Sequence, residues 1–271
     1  MTEFATSKDG TRIAFERSGE GPPVIVIGGI FCDRQRMADL ADGLAEHFSV
    51  VNYDRRGRGE SGDTLPYAVE REIEDLAALI DAAGGSAMVY GHSSGAGLAL
   101  RATAAGLPVS RLVLHEPPYG PDDEQSRASA RSLATRVRTA VAADRCGDAI
   151  ADFFGMLGLS PGVVEALRTN PSMLAIARTM PYDFEVMGDF TGGTIPEALV
   201  RAIDIPTLVL AGGVSAGFLR STADRIADLL PQGTRALLDG HDHDAPGEVV
   251  APVVAEFLAD ALVAGRVAPT F

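Results

Sequence analysis

Short apolar runs rich in β-branched residues recur along this chain, each followed within a few residues by a pattern of helical period. Residues 23–27 (PVIVI) are continuously apolar, as a strand covered on both faces requires. A helix is predicted over 36–47, with Met37, Leu40, Leu44 and Phe48 in register, then a strand over 48–53. A helix over 68–82 carries Ile73, Leu76, Leu79 and Ile80 on one face. A strand over 87–90, a helix over 96–105 and a strand over 111–115 continue the series, and 12–17 reads as an earlier strand after the Asp9-Gly10 turn. Strands alternating with helices through short links mean βαβ units and a largely parallel sheet.

The rhythm breaks over residues 118–202, which carry helical patterns punctuated by Pro161, Pro171, Pro181 and Pro196. It returns with a strand over 207–211, a helix over 218–230, a strand over 235–238 and a helix over 249–261. The chain is therefore divided into a core over 1–117, a helical lid or cap inserted over 118–202, and the rest of the core over 203–271. At 271 residues and 46% hydrophobic content it is large enough to bury a core without disulfide or metal staples. Lys and Arg number 23 against 37 Asp and Glu, a net charge of −14, which repels nucleic-acid phosphates and anionic lipids. Cys32 and Cys146 are too few for a disulfide framework or a zinc site. The first ten residues show no basic segment followed by an apolar run. The one long uncharged stretch, 82–100, holds five glycines, three serines and a histidine, and reads as strand, turn and helix rather than a membrane span. The expectation is a soluble, cytoplasmic protein.

The chemistry concentrates in Gly91-His92-Ser93-Ser94-Gly95, a G-x-S-x-G that follows an apolar strand and opens an apolar helix. The glycines permit a sharp turn and leave Ser93 at the strand end with its hydroxyl exposed. A nucleophilic serine needs a base. His47 reads as surface, His92 lies inside the turn, and His115 ends a strand. His241 and His243 lie in Asp239-Gly240-His241-Asp242-His243-Asp244, a loop able to reach the carboxyl edge of the sheet, and His243 is taken as the base ahead of His241. Aspartates beside these histidines also allow a metal-binding reading, but no further His/Cys cluster accompanies them.

On these residues the chain resembles the α/β-hydrolase fold family over nearly its full length, and in particular small lid-bearing esterases, cofactor-free haloperoxidase-like hydrolases and C–C bond hydrolases. Asp54, Arg56, Gly57, Gly59 and Ser61 look like that family's structural turn. The resemblance implies an eight-stranded, mostly parallel sheet flanked by helices, a helical lid, and a triad in the order serine, acid, histidine. Two departures matter. The loop after the seventh strand, Gly212-Gly213-Val214-Ser215-Ala216-Gly217, holds no carboxylate where the family usually carries its acid. Glu116, after the sixth strand, is the substitute at the same edge, as in certain haloalkane dehalogenases. The usual His-Gly after the third strand is Gly28-Gly29, which removes a ring that often braces the oxyanion loop. The resemblance assigns the oxyanion hole to the N–H groups of Ile30 and Ser94, with Gly29, Phe31 and His92 as pocket and support, and Cys32 nearby.

Phe153, Phe154, Met156, Leu157, Met173, Leu174, Met180, Phe184, Met187 and Phe190 furnish the lid core and an apolar pocket. Asp183, Glu185 and Asp189 are expected to add negative charge beside it. The expected function is a serine hydrolase acting on a small-to-medium apolar ester, thioester, lactone or related carbonyl through an acyl-enzyme. The alternative is a non-hydrolytic relative, either a ligand-binding protein or a biosynthetic cyclase or lyase. No cofactor and no metal are expected. The expected partner is a small apolar substrate, not nucleic acid or membrane, with a homodimer left open.

Overall fold

The computed structural model describes residues 1–264. Eight strands form one sheet: β1 (Glu3–Thr6), β2 (Arg12–Ser18), β3 (Pro23–Ile27), β4 (Ser49–Tyr53), β5 (Ala87–His92), β6 (Val109–His115), β7 (Thr207–Gly212) and β8 (Gly233–Leu238). Their spatial order is β1-β2-β4-β3-β5-β6-β7-β8. The β1·β2 and β2·β4 pairs are antiparallel and every other pair is parallel. The expected α/β architecture, an eight-stranded and mostly parallel sheet flanked by helices, is the one found. Strand β1 leaves no trace in the apolar pattern, because Ala5 is the one buried residue of its four.

Two layers of helices cover the sheet. Val24 and Val26 of β3 point into a layer made by α1 (Ala38–Leu44) and α11 (Gly247–Ala264). Ile25 and Ile27 point the other way, against α2 (Val69–Ala82), α3 (Ser94–Ala104) and α10 (Gly217–Leu229). A strand with both faces covered has no place for a polar residue, hence the unbroken PVIVI. Each such side chain contributes on the order of 1.5–3 kcal/mol when fully buried. Helix α1 starts two residues later than its periodicity suggests, because the Asp33 carboxylate accepts the Arg36 N–H at 3.0 Å and holds a turn there.

Between β6 and β7 lie α4 (Glu124–Ala142), α5 (Cys146–Met156), α6 (Pro161–Arg168), α7 (Pro171–Ala177), α8 (Met180–Met187), a 3-10 turn (Asp189–Thr191) and α9 (Glu197–Arg201). Pro161 and Pro171 occupy first-turn positions, where a missing N–H costs nothing. The insertion has its own core, in which Leu133 and Val137 of α4, Ile150 of α5, and Met180 and Phe184 of α8 meet. Its root is tied down: the Tyr119 carbonyl accepts the Thr222 hydroxyl of α10 at 2.9 Å, and Tyr119 is fully buried. No described helix is long and apolar enough to cross a membrane.

Candidate active site

Ser93 sits between β5 and α3 with φ 55 and ψ −127. A Cβ on Gly91 would lie 2.5 Å from the Gly95 carbonyl oxygen, and one on Gly95 would lie 2.5 Å from that of Ile27. Both positions of the motif therefore require glycine, since backbone occupies the space a side chain needs. Four non-glycine residues among those described have positive φ, and Phe31, Ser93 and Glu116 are three of them. Strain of this kind, about 1–3 kcal/mol per residue, persists where surrounding structure enforces it.

Glu116 follows β6 with φ 47 and is completely buried. Its N–H donates to the Leu210 carbonyl at 3.0 Å, and its Oε1 accepts the Gly212 N–H at 2.8 Å. Its Oε2 is 2.7 Å from His243 Nδ1. A carboxylate only accepts, so Nδ1 carries the proton and Nε2 is left free. Burial alone would push the Glu116 carboxyl up. The His243 N–H, the neighbouring Ser215 hydroxyl and the Gly212 N–H outweigh it and hold the carboxyl below its ordinary value. Gly212 admits no side chain, because a Cβ there would lie 2.5 Å from the His241 carbonyl oxygen and from Ser215 Oγ.

His92 packs against His243. Its Nε2 donates to the His243 carbonyl at 3.0 Å, and its ring lies 4.7 Å from that of His243 and 5.0 Å from that of His115. His92 is half-buried. Burial and the His243 ring lower its pKa to about 3. His115 is lowered in the same direction by burial, and its Nδ1 pairs with the Tyr90 hydroxyl at 2.7 Å. His241 contributes its backbone carbonyl, which accepts the Val214 N–H at 3.1 Å. Ser93 Oγ and His243 share no hydrogen bond in this structure. Such contacts commonly tighten only when substrate binds.

The Ile30 and Ser94 N–H groups donate to no group among the described residues. Gly29 packs directly on the serine: a Cβ there would lie 2.7 Å from Ser93 Cβ. Phe31 stacks on Phe154 at 5.4 Å between centroids and meets Phe153 edge-on at 5.8 Å, so apolar rings of the insertion flank the approach to Ser93. Cys32 is not an activated thiol, since burial pushes its pKa up. The space of a residue-28 side chain is taken, because a Cβ on Gly28 would lie 2.7 Å from Cys32 Cβ and 3.2 Å from Met37 Cγ.

The charge expected from the insertion takes another form. Asp183 of α8 is buried and accepts from Arg55 Nη1 and Arg58 Nη2, each at 2.6 Å, and from Ser94 Oγ at 2.7 Å. Burial would raise its carboxyl, but Arg58 and Arg55 outweigh that and hold it below the usual range. Asp183 therefore presents no free charge to the pocket. Asp189 is pushed up to about 7 by burial and by Asp183, so it is largely protonated in mildly acidic conditions. Sequence reasoning missed Arg55 and Arg58 because their segment reads as the architecture of a turn. The turn is there: the Asp54 carboxylate accepts the Arg34 N–H at 2.8 Å and the Glu60 N–H at 2.9 Å, and Arg56 pairs with Asp75.

Among the described residues no three His, Cys, Asp or Glu side chains come together as a metal site. Cavities of about 390 Å³, lined by Arg145, Cys146, Asp148 and Arg168 among others, and about 400 Å³, lined by Asp39, Asp42 and Pro246 among others, lie away from Ser93.

Fold and site together define a class, an α/β sheet that brings a serine, a histidine and a buried carboxylate to its carboxyl edge. A family model described as the alpha/beta hydrolase family matches residues 24–257, and the chain belongs to that family. The chain is similar to an alpha/beta hydrolase from Sphaerobacter thermophilus DSM 20745, at 48% identity and a TM-score of 0.84 over 94% of this chain and 100% of that one. It is also similar to a thermophilic esterase from Thermogutta terrifontis, at 26% identity and a TM-score of 0.73 over 96% and 98%. A curated relative, N-formylmaleamate deformylase from Pseudomonas putida, is 37% identical over 117 residues, 41% of this chain and 44% of that protein. The match thus spans less than half of that relative. Hydrolase activity in general follows from the family; mechanism and substrate do not.

Proposed function

We propose that the chain is a serine hydrolase that cleaves a small-to-medium apolar carboxylic ester, thioester, lactone or related carbonyl compound through an acyl-enzyme. The observation that carries this reading is the 2.7 Å contact between the buried Glu116 carboxylate and His243 Nδ1, at the sheet edge that also presents Ser93 at φ 55. Ser93 Oγ attacks the carbonyl carbon and its proton passes to His243 Nε2. The carbonyl oxygen becomes an oxyanion held by the Ile30 and Ser94 N–H groups. The bond to the leaving group breaks, and that group takes the proton from Nε2. Water then attacks the Ser93 ester, giving its proton to Nε2. When the acyl group leaves as the acid, the proton returns to Ser93 Oγ. Glu116 stays ionised throughout and holds the imidazole tautomer.

The insertion acts as a cap over the acyl group, with Phe31, Phe153, Phe154 and Phe184 as its apolar wall. Such a wall favours acyl chains without charge. The name of the deformylase relative points to a formyl amide as one related carbonyl to include among test substrates.

The test is labelling with a fluorophosphonate probe, the modified residue being mapped by mass spectrometry, followed by a panel of esters, thioesters and lactones. An adduct on Ser93, and hydrolysis abolished in Ser93→Ala, is the expected result. Ester hydrolysis unaffected by Ser93→Ala overturns the reading.

A further inference from the structure

We infer that Arg58, locked in place by Asp183, positions the oxyanion hole by clamping the peptide unit whose N–H is the Ile30 donor. This rests on the serine-hydrolase reading above. It answers how the oxyanion loop is braced when residue 28 has no ring.

The carbonyl of Gly29 and the N–H of Ile30 belong to one planar trans peptide, so they point in opposite directions. Fixing one fixes the other. Arg58 Nη1 donates to the Gly29 carbonyl at 2.6 Å, and the Cys32 N–H donates to the same oxygen at 3.2 Å. The Ile30 N–H is thereby turned to the opposite side, where it meets no acceptor among the described residues. A charged donor on the carbonyl also draws electron density through the amide and makes its N–H a stronger donor.

Arg58 itself has no freedom. Its Nη1 reaches the Cys32 carbonyl at 3.1 Å, its Nε donates to Thr179 Oγ1 at 3.0 Å, and its Nη2 donates to Asp183 Oδ2 at 2.6 Å. Arg58, Asp183, Thr179 and Ser94 are all buried. The other oxygen of Asp183 accepts Ser94 Oγ, so one carboxylate holds both the residue that supplies the second donor and the guanidinium that aims the first. Arg55 completes the set by bridging Asp183 to Glu72, which leaves two guanidiniums facing two carboxylates and no unpaired charge. Arg58 comes from the turn after β4, and Asp183 comes from α8 of the insertion. The hole between β3 and β5 is therefore finished by residues from two other segments.

The experiment compares wild type with Arg58→Met, Arg58→Lys and Ser94→Ala in hydrolysis of p-nitrophenyl butyrate. Rates are expressed per active site titrated with the fluorophosphonate, so that misfolded protein does not count. A lost oxyanion donor typically lowers kcat by ~10²–10³. Arg58→Met should lower per-site kcat by about 10², with KM within about threefold, and Arg58→Lys should restore part of it. Inhibition by butylboronic acid, whose tetrahedral adduct places an oxygen in the hole, should weaken in parallel. A merely structural Arg58 would lower the titrated fraction and the melting temperature but leave per-site kcat and boronate affinity alone. Ser94→Ala removes a single oxygen and keeps the N–H, and should lower per-site kcat by about tenfold should Arg58→Met not fold. Per-site kcat within about threefold of wild type in Arg58→Met, or in Ser94→Ala where the former does not fold, overturns the inference while the serine-hydrolase reading stands. A wild type that neither labels on Ser93 nor turns over the ester overturns both.

Discussion

Glu116 and His243 lie 127 residues apart in the chain and 2.7 Å apart in space. The carboxylate that meets the imidazole thus comes from just after β6 rather than from the loop after β7. Glu116→Gln keeps the shape but loses the anion, and its amide can present an N–H to Nδ1 and favour the wrong tautomer. It is expected to lower kcat by roughly 10³–10⁴ with little change in KM. Steady-state kinetics on any ester the wild type accepts would check this, and a loss below about tenfold would remove Glu116 from the triad.

Gly29→Ala should cripple catalysis without unfolding the chain. The added methyl would stand 2.7 Å from Ser93 Cβ and 3.3 Å from Ser93 Oγ, so the serine and the loop after β3 must separate by some tenths of an ångström. Displacements of about 1 Å cost on the order of 10² in rate. Fluorophosphonate labelling slowed by tenfold or more, with a melting temperature close to that of wild type, is the expected pair of results.

The turn at Ser93 predicts a stability difference between two variants that lack the hydroxyl. At φ 55 an alanine bears the strain that the serine bears, whereas a glycine does not. After the greater chain entropy of glycine is set against that relief, Ser93→Gly should exceed Ser93→Ala by about 1 kcal/mol. Urea midpoints of the two variants, at equal slope, measure the difference. Equal midpoints would mean that the turn is unstrained.

Stability should fall as pH drops from about 6.5. An unfolded histidine takes up its proton near there, whereas folded His92 resists until about 3. Between those values the unfolded chain binds more protons, so the folded state loses ground, by at most about 1.4 kcal/mol per pH unit for this ring. His115, lowered by burial, acts in the same direction. Melting temperatures from about pH 7.5 to about 5 should slope less steeply in His92→Gln than in wild type. Identical slopes would show that His92 titrates normally.

Placing at residue 28 the histidine that the family resemblance leads one to expect should not help. Gly28→His would force a Cβ to 2.7 Å from Cys32 Cβ and crowd Met37. Overpacking of this kind costs about 1–3 kcal/mol. A lowered melting temperature is expected, and a raised one would show that the loop can open to admit the ring.

What could be read from the residues follows the length scale of the interactions. The turn at Ser93 is legible because both its glycines are explained by atoms within a few residues or on the adjacent strand. Glu116 is singled out only through the family resemblance, which expects an acid after the seventh strand; residues 212–217 hold no carboxylate, and Glu116 follows the neighbouring strand. The partners of Arg55 and Arg58 are not legible, because Asp183 lies 128 and 125 residues away and nothing local marks it as their counter-ion. For the same reason Asp183 reads as free negative charge. The packing of His92 between His115 and His243 is equally silent, because it depends on where a late loop comes to rest. Strand β1 escapes because one buried alanine makes no pattern.

The stretch from Glu116 to Tyr119 has a mechanical consequence. Two consecutive prolines with fixed φ separate the carboxylate from a tyrosine pinned to α10 through Thr222. They form a short stiff strut with one end at the active site and the other at an abutment on the sheet-side helices. Glu116, and with it the His243 ring 2.7 Å away, is thereby referred to α10 through a rigid link.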